Sequence, residues 1–180
     1  NTITVRLASA SREKSVSGGA PEGTHTTSRY APGASSMKRR ALPPEEVPNY
    51  LFAGHHGKSV SLSDAFGAKD DLIVVHNMGK GCRYCTLWAD GFNGVWRHLA
   101  DRAGFVVCSP DAAETQKIFA ASRQWGFPMV SGHGSTFIQD MGFRGEKSWM
   151  PGVSTFHLAE DGSIERVARA LAVAHAKGLL

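Results

Sequence analysis

Cysteine is scarce in this chain, with three in 180 residues. Three cannot all pair, which excludes a disulfide-stapled secreted scaffold. Acidic residues are almost missing from the first 40 positions. Two Glu face seven Lys and Arg there, a net of +5, while the remainder holds 13 basic and 14 acidic residues, a net of −1. The formal charge of +4 is thus a property of one end, and the rest is nearly neutral. No basic face interleaved with aromatics marks a nucleic-acid surface, and no apolar run approaches the roughly 20 residues that cross a bilayer. The first 40 residues also lack the apolar stretch of a secretory signal; their Arg and Ser richness only distantly echoes an organelle transit peptide. The expected location is a reducing, cytoplasmic compartment.

Large apolar residues are few from Asn1 to about Pro48, and such a composition cannot offset the entropy of ordering. Residues 1–48 therefore read as a disordered, basic, Ser/Gly/Pro-rich tail. Met37, followed by Lys38-Arg39-Arg40, would serve equally well as a start, so residues 1–36 read as readily as translated upstream sequence. Residues 49–180, in a chain that is 42% hydrophobic with four tryptophans, suffice for one domain with its own core.

Two short strand-like runs, Tyr50-Leu51-Phe52-Ala53-Gly54 and Ser59-Val60-Ser61-Leu62, flank a polar turn and predict an entry hairpin. Ser63 to Gly67 predicts a short helical turn before a central strand over Leu72 to Met78. A helix is expected over Cys82–Ala100, with Trp88, Phe92, Val95 and Leu99 as the stripe that packs on the sheet. Phe105 to Cys108 reads as a buried strand. Ser109 then reads as a cap with Pro110 at the first position of a second helix, and Gly126 stands just beyond its end. Pro128 to Val130 predicts a short strand, and Val153–Leu158 with Ile164–Val167 a β-hairpin across Glu160-Asp161-Gly162-Ser163. The alanine-rich segment Ala168–Leu180 predicts a last helix.

Chemistry concentrates in Gly81-Cys82-Arg83-Tyr84-Cys85-Thr86-Leu87-Trp88. A Cys-x-x-Cys where a strand passes into a helix sets the first sulfur among the free N–H groups of the helix terminus, which favours the thiolate. Cys82 reads as an attacking thiolate and Cys85 as the resolving thiol one turn away. The pair also fits two reduced helix cysteines without turnover, or half of a zinc site. Zinc needs two further ligands, for which His98 and His55-His56 are available but no second Cys-x-x-Cys, so neither a metal nor another cofactor is expected. Arg83 is placed to favour the thiolate by its charge, and Tyr84 to touch substrate. Cys108, inside an apolar run, reads as a small buried hydrophobe. Pro151, directly before a strand, is expected to be cis and to present the preceding backbone to an extended substrate.

The order hairpin, strand, Cys-x-x-Cys helix, strand, helix, proline, hairpin resembles the thioredoxin superfamily from Tyr50 to about Val167. The runs Asp71–Met78, Cys82–Gly94 with its Trp88-Ala89-Asp90, and Pro151–Phe156 are similar to a bacterial family of predicted dithiol-disulfide oxidoreductases catalogued as a domain of unknown function. The resemblance implies an α/β, thioredoxin-like three-layer fold, with a central mixed sheet flanked by helices and an N-terminal β-hairpin extension. It also implies a thiol-disulfide oxidoreductase in which Cys82 matches the nucleophile, Cys85 the resolving thiol and Pro151 the cis-proline. His76 stands where thioredoxin keeps a buried Asp that accepts the resolving thiol's proton; a hydrogen-bonded core histidine is the alternative. Gly81 replaces thioredoxin's Trp, Arg83-Tyr84 replace its Gly-Pro, and the Pro-x-x-x-Thr-x-x-Cys signature of peroxiredoxins is absent. The expected partners are a disulfide-containing protein or small thiol substrate and an external thiol reductant, with neither nucleic acid nor membrane. A peroxide-reducing enzyme and a non-catalytic peptide-binding module are the rival readings of the same scaffold.

Overall fold

The β-branched and aromatic runs that the sequence marks as buried, Leu72–Val75 and Phe105–Cys108, lie side by side at the centre of one sheet. In the computed structural model, which describes residues 43–55 and 57–171, they form β4 (Asp71–His76) and β5 (Gly104–Ser109), paired in parallel from Leu72↔Gly104 to His76↔Cys108. Helix α1 (Arg83–Arg102) connects them, and α2 (Ala113–Ser122) leads from β5 to the parallel β6 (Met129–Ser131). Long crossovers of this kind are what parallel neighbours require. On the other side of β4 runs β7 (Gly152–Leu158), antiparallel, with His76 opposite Gly152. With β1 (Glu45–Val47), β2 (Leu51–Gly54), β3 (Ser59–Ser61) and β8 (Ile164–Leu171), the eight strands of the described residues take the order β1-β8-β7-β4-β5-β6-β2-β3. The β2–β3 pair is the expected hairpin, and Asp64–Phe66 the expected helical turn, of 3-10 type.

Alternation along the central strands separates two cores. Leu72, Val74, Val106, Cys108 and Phe156 face one way, together with Phe66 and with Phe137 and Ile138 of the short helix α3 (Phe137–Asp140), which the sequence reading missed. Ile73, Val75, Phe105 and Val107 face the other way, against Ala89, Phe92, Trp96 and Leu99 of α1. The inward stripe of α1 therefore runs through the buried Cys85 and Ala89 and the partly buried Phe92, Trp96 and Leu99. Trp88 and Val95, expected on it, are 36% and 48% exposed. Both stripes keep spacings of three and four, and the small Ala89, fully buried, lets the helix sit close to the sheet.

Three other expectations are corrected. Order begins before Asn49: Glu45–Val47 pairs with Arg166 to Ile164, buries Val47, and is bounded by Pro44 and Pro48, as suits an edge strand. Residues 1–42 of the expected tail lie outside the described residues. Ser109 ends β5 instead of capping α2, which starts at Ala113 without a side-chain cap and stops at Arg123, followed by Gln124 at φ 58°. Residues 168–171, expected in a helix, extend β8, with Ala168 opposite Thr155 and Ala170 opposite Val153. Cross-strand pairing overrides alanine's helix preference there. Residues 172–180 of that helix lie outside the described residues.

Gly152 starts β7 where a side chain has no room. A methyl group there would come within 2.3 Å of both the Ala170 carbonyl oxygen and the Phe143 ring. Gly152→Ala is expected to destabilise the fold by about 1–3 kcal/mol, the usual range for forced overpacking. Chemical denaturation checks this, and an unchanged midpoint would refute the contact.

Candidate functional site

The candidate site is the loop from β4 into α1. Cys82 is the N-cap of α1, with extended backbone (φ −93°, ψ 107°), and its Sγ accepts the Cys85 amide at 3.2 Å. A short polar side chain at this position satisfies one of the unpaired N–H groups of the first turn. Cys82 is partly exposed, whereas Cys85, on the inward face of the helix, is 3% exposed. Both are free thiols. Burial pushes Cys85 up to about 12, helped by its side-chain hydrogen bond with Cys82 and opposed by the Met78 amide, which donates to Cys85 Sγ at 3.4 Å. One thiol is thus open to solvent and the other kept protonated beneath it.

Met78, Gly81, Cys82, Arg83 and Tyr84 line an open depression of about 400 Å³. The structure therefore brings Cys82, Arg83 and Tyr84 to one surface, with Arg83 exposed as the first residue of α1. Pro151 is buried one residue before Gly152, and so borders the residue after His76 at this end of the sheet. Its peptide bond is trans, since no cis bond occurs among the described residues, and this corrects the expected cis-proline. Met150 N–H bonds Phe143 carbonyl at 2.8 Å and Gly152 enters the β4–β7 ladder, so the trans chain is held on both sides of the proline.

His76 is not brought to the thiols. Its neighbour Val75 faces α1, while the His76 ring faces the other core, stacked on Phe143 at 3.7 Å and on Phe137 at 5.5 Å. Nε2 shares a hydrogen bond with Ser154 Oγ at 3.0 Å, and Nδ1 has no partner among the described residues. Burial, with a smaller contribution from Arg166, lowers its pKa to about 3, so the ring is neutral. Its placement is that of a core histidine.

Sequence reasoning missed the polar residues that shape the loop. Asn77, the next residue along, points to the α1 side: its Oδ1 accepts the Gly79 amide at 2.8 Å and its Nδ2 donates to the Cys85 carbonyl at 3.4 Å. From the loop after β5, Asp111 accepts the Lys80 amide at 2.7 Å. An Asx residue ending a strand two places before a glycine was the available signal for Asn77; nothing local marks Asp111. Farther along α1, Asp90 of the Trp-Ala-Asp run accepts from Trp125 Nε1 at 2.8 Å and pairs with Arg123. One turn on, Asn93 bonds the Gln124 carbonyl at 2.9 Å and the Gly126 amide at 2.8 Å. These contacts staple the α2–β6 connection to the dithiol helix and give that run a structural meaning. Cys108 is fully buried, and burial pushes its thiol up to about 12. Among the described residues, no group of three or more metal-ligating side chains comes together. No described helix is long and apolar enough to cross a membrane.

Residues 26–169 match the model of a family described as a bacterial protein of unknown function, DUF899. No curated protein matches the chain. Among solved structures, it is similar to peroxidoxin BcpB from Mycobacterium tuberculosis, with 22% identity and a TM-score of 0.56 over 75% of this chain and 91% of that one. It is likewise similar to a mutant PrxQ of Xylella fastidiosa, with 17% identity and a TM-score of 0.58 over 76% and 91% of the two chains. A bacterioferritin comigratory protein of Xanthomonas campestris matches at 20% identity and a TM-score of 0.53, over 72% and 86%. At these identities the likeness is one of fold, and the fold is thioredoxin-like.

Proposed function

We propose that this chain, which belongs to the bacterial DUF899 family, is a thiol-disulfide oxidoreductase that cycles Cys82 and Cys85 between dithiol and disulfide. One observation carries the reading: an accessible sulfur caps a helix at the mouth of a depression, with a second, buried thiol hydrogen-bonded to it from below. Cys82 thiolate attacks a substrate disulfide, forming a mixed disulfide and releasing one substrate thiolate, which takes up a proton. Cys85 loses its proton and attacks Cys82 Sγ, so the intramolecular disulfide forms and the second substrate thiolate leaves. Two electrons pass to substrate, and an external dithiol restores the pair. Substrate is a protein or small-molecule disulfide that can reach the depression. No bound cofactor is needed for these steps.

The peroxiredoxin-like fold supports a second reading, peroxide reduction at the same sulfur. There Cys82 thiolate attacks a peroxide oxygen, an alcohol or water leaves, and Cys85 condenses with the sulfenic acid to give the same disulfide and water.

Differential alkylation with mass spectrometry across a glutathione redox series tests both. Cys82 and Cys85 are expected to convert together as one two-electron couple while Cys108 stays protected in the native protein. Thiols that never pair would sink both redox readings and leave the peptide-binding alternative. Sulfenic acid forming at Cys82 within seconds of adding hydrogen peroxide would favour the peroxidase.

A further inference from the structure

The peptide unit joining Gly79 to Lys80 is held at both ends. Its N–H is donated to Asp111 Oδ2 at 2.7 Å, and its carbonyl, that of Gly79, accepts the Cys82 N–H at 3.1 Å. The contact with Asp111 is close on the other side too. Gly79 has φ +96°, and a side chain there would meet both Asp111 carboxylate oxygens at 2.9 Å. The carboxylate therefore lies directly against the glycine, which is required by both its backbone angle and its neighbour. Asp111 is anchored in turn, since its carbonyl accepts Ser131 Oγ at 2.6 Å and its Oδ2 lies 3.5 Å from the Ser109 hydroxyl. Asp111 makes no ion pair among the described residues, so its carboxylate serves as an acceptor for backbone and hydroxyl groups.

We propose that Asp111 is a positioning residue for the nucleophile Cys82, acting through the Gly79–Lys80 peptide. This rests on the oxidoreductase reading above. An oxygen acceptor on the amide polarises the peptide and strengthens the bond its carbonyl makes to Cys82 N–H, because hydrogen bonds in series reinforce one another. Cys82 then keeps the extended backbone that turns its sulfur to the depression. Asn77 holds the preceding peptide through the Gly79 amide, so the loop is clamped from the ends of two adjacent strands.

The test compares Asp111→Ala, Asp111→Ser and Asp111→Asn with the full wild-type chain, using reduction of a small aromatic disulfide and alkylation rates of Cys82. Serine is too short to reach the Lys80 amide; asparagine keeps an oxygen that can. Both truncations are expected to lower kcat and the Cys82 alkylation rate about tenfold, as misplacement of a reacting group does. Asparagine should hold both within about threefold. Protection of Cys108 from alkylation reports that each variant is folded. Folded truncations with wild-type rates would overturn the assignment, as would equal losses in all three variants. Should truncation expose Cys108, Asp111→Asn decides by itself, a loss of about tenfold counting against the role. A wild type that exchanges no disulfide would instead refute the oxidoreductase reading.

Discussion

Replacing Cys85 with serine should leave a protein that reacts once with a disulfide substrate and then stops, covalently joined to it through Cys82. Replacing Cys82 with serine should reduce exchange to the level of buffer alone. The asymmetry follows from the two environments. Cys85 is buried and pushed up to about 12, so at neutral pH it is a protonated thiol without access to substrate and does not attack first. Two of the causes that hold it there, the hydrogen bond that the Cys85 thiol donates to Cys82 and the charge of Cys82, vanish once Cys82 is consumed in a mixed disulfide. The Met78 amide, which favours the Cys85 thiolate, remains. On the proposed cycle, attack by Cys82 would therefore prepare Cys85 for the second step.

Serine is a fair control at both positions. At Cys82 it is a good N-cap residue and can accept the Cys85 amide as the sulfur does, so the folded state should change by no more than about 0.5 kcal/mol. Intact mass spectrometry after mixing with an aromatic disulfide reads the result: a stable adduct for Cys85→Ser and none for Cys82→Ser. Equal activity in the two variants would remove Cys82 from the nucleophile's role.

What the sequence made legible is what local chemistry determines. Leu72–Val75 and Phe105–Cys108 read as buried strands and are strands, and the Cys-x-x-Cys between strand and helix picks out the candidate site by its spacing. Features set at a distance were not legible. Glu45–Val47 is too short and too polar to announce a strand, and becomes one because β8 offers it partners. Ala168 and Ala170 have no strand signal of their own and follow β7. Two stripes on α1 satisfied the same helical spacing, and the fully buried Ala89 decided between them. Asp111 reaches the dithiol loop across 31 residues, and nothing in its own neighbourhood signals that.

The fold should lose stability as the solution is acidified from about pH 7 to about pH 5, and His76 should be the reason. In the unfolded chain His76 takes a proton near its ordinary value of 6.5; in the folded chain burial holds it neutral down to about 3. Between those values the unfolded state binds more protons, so stability is fully present above about 6.5 and is lost as pH falls towards 3. For one such group the loss from pH 7 to pH 5 is about 2 kcal/mol. The groups around the ring cannot compensate: Ser154, Phe137 and Phe143 are uncharged, Cys108 beside it on β5 is a protonated thiol, and Arg166 only repels a second positive charge. Asp90, held below the usual carboxylate range chiefly by its hydrogen bond from Arg123, contributes stability lost only at lower pH. His157, raised by its hydrogen bond to Asp71, acts with the opposite sign: its contribution is present at low pH and fades as pH rises through its folded value. That pair is about half exposed and screened, and should not reverse the trend. A His76→Phe, Ser154→Ala double variant removes the ring and its buried partner together. Its unfolding free energy, measured by urea titration at about pH 7 and about pH 5, should lose most of the pH dependence whatever its absolute value. A slope equal to that of the wild type would assign the acid sensitivity to another group and leave the buried ring at Phe143 electrostatically silent.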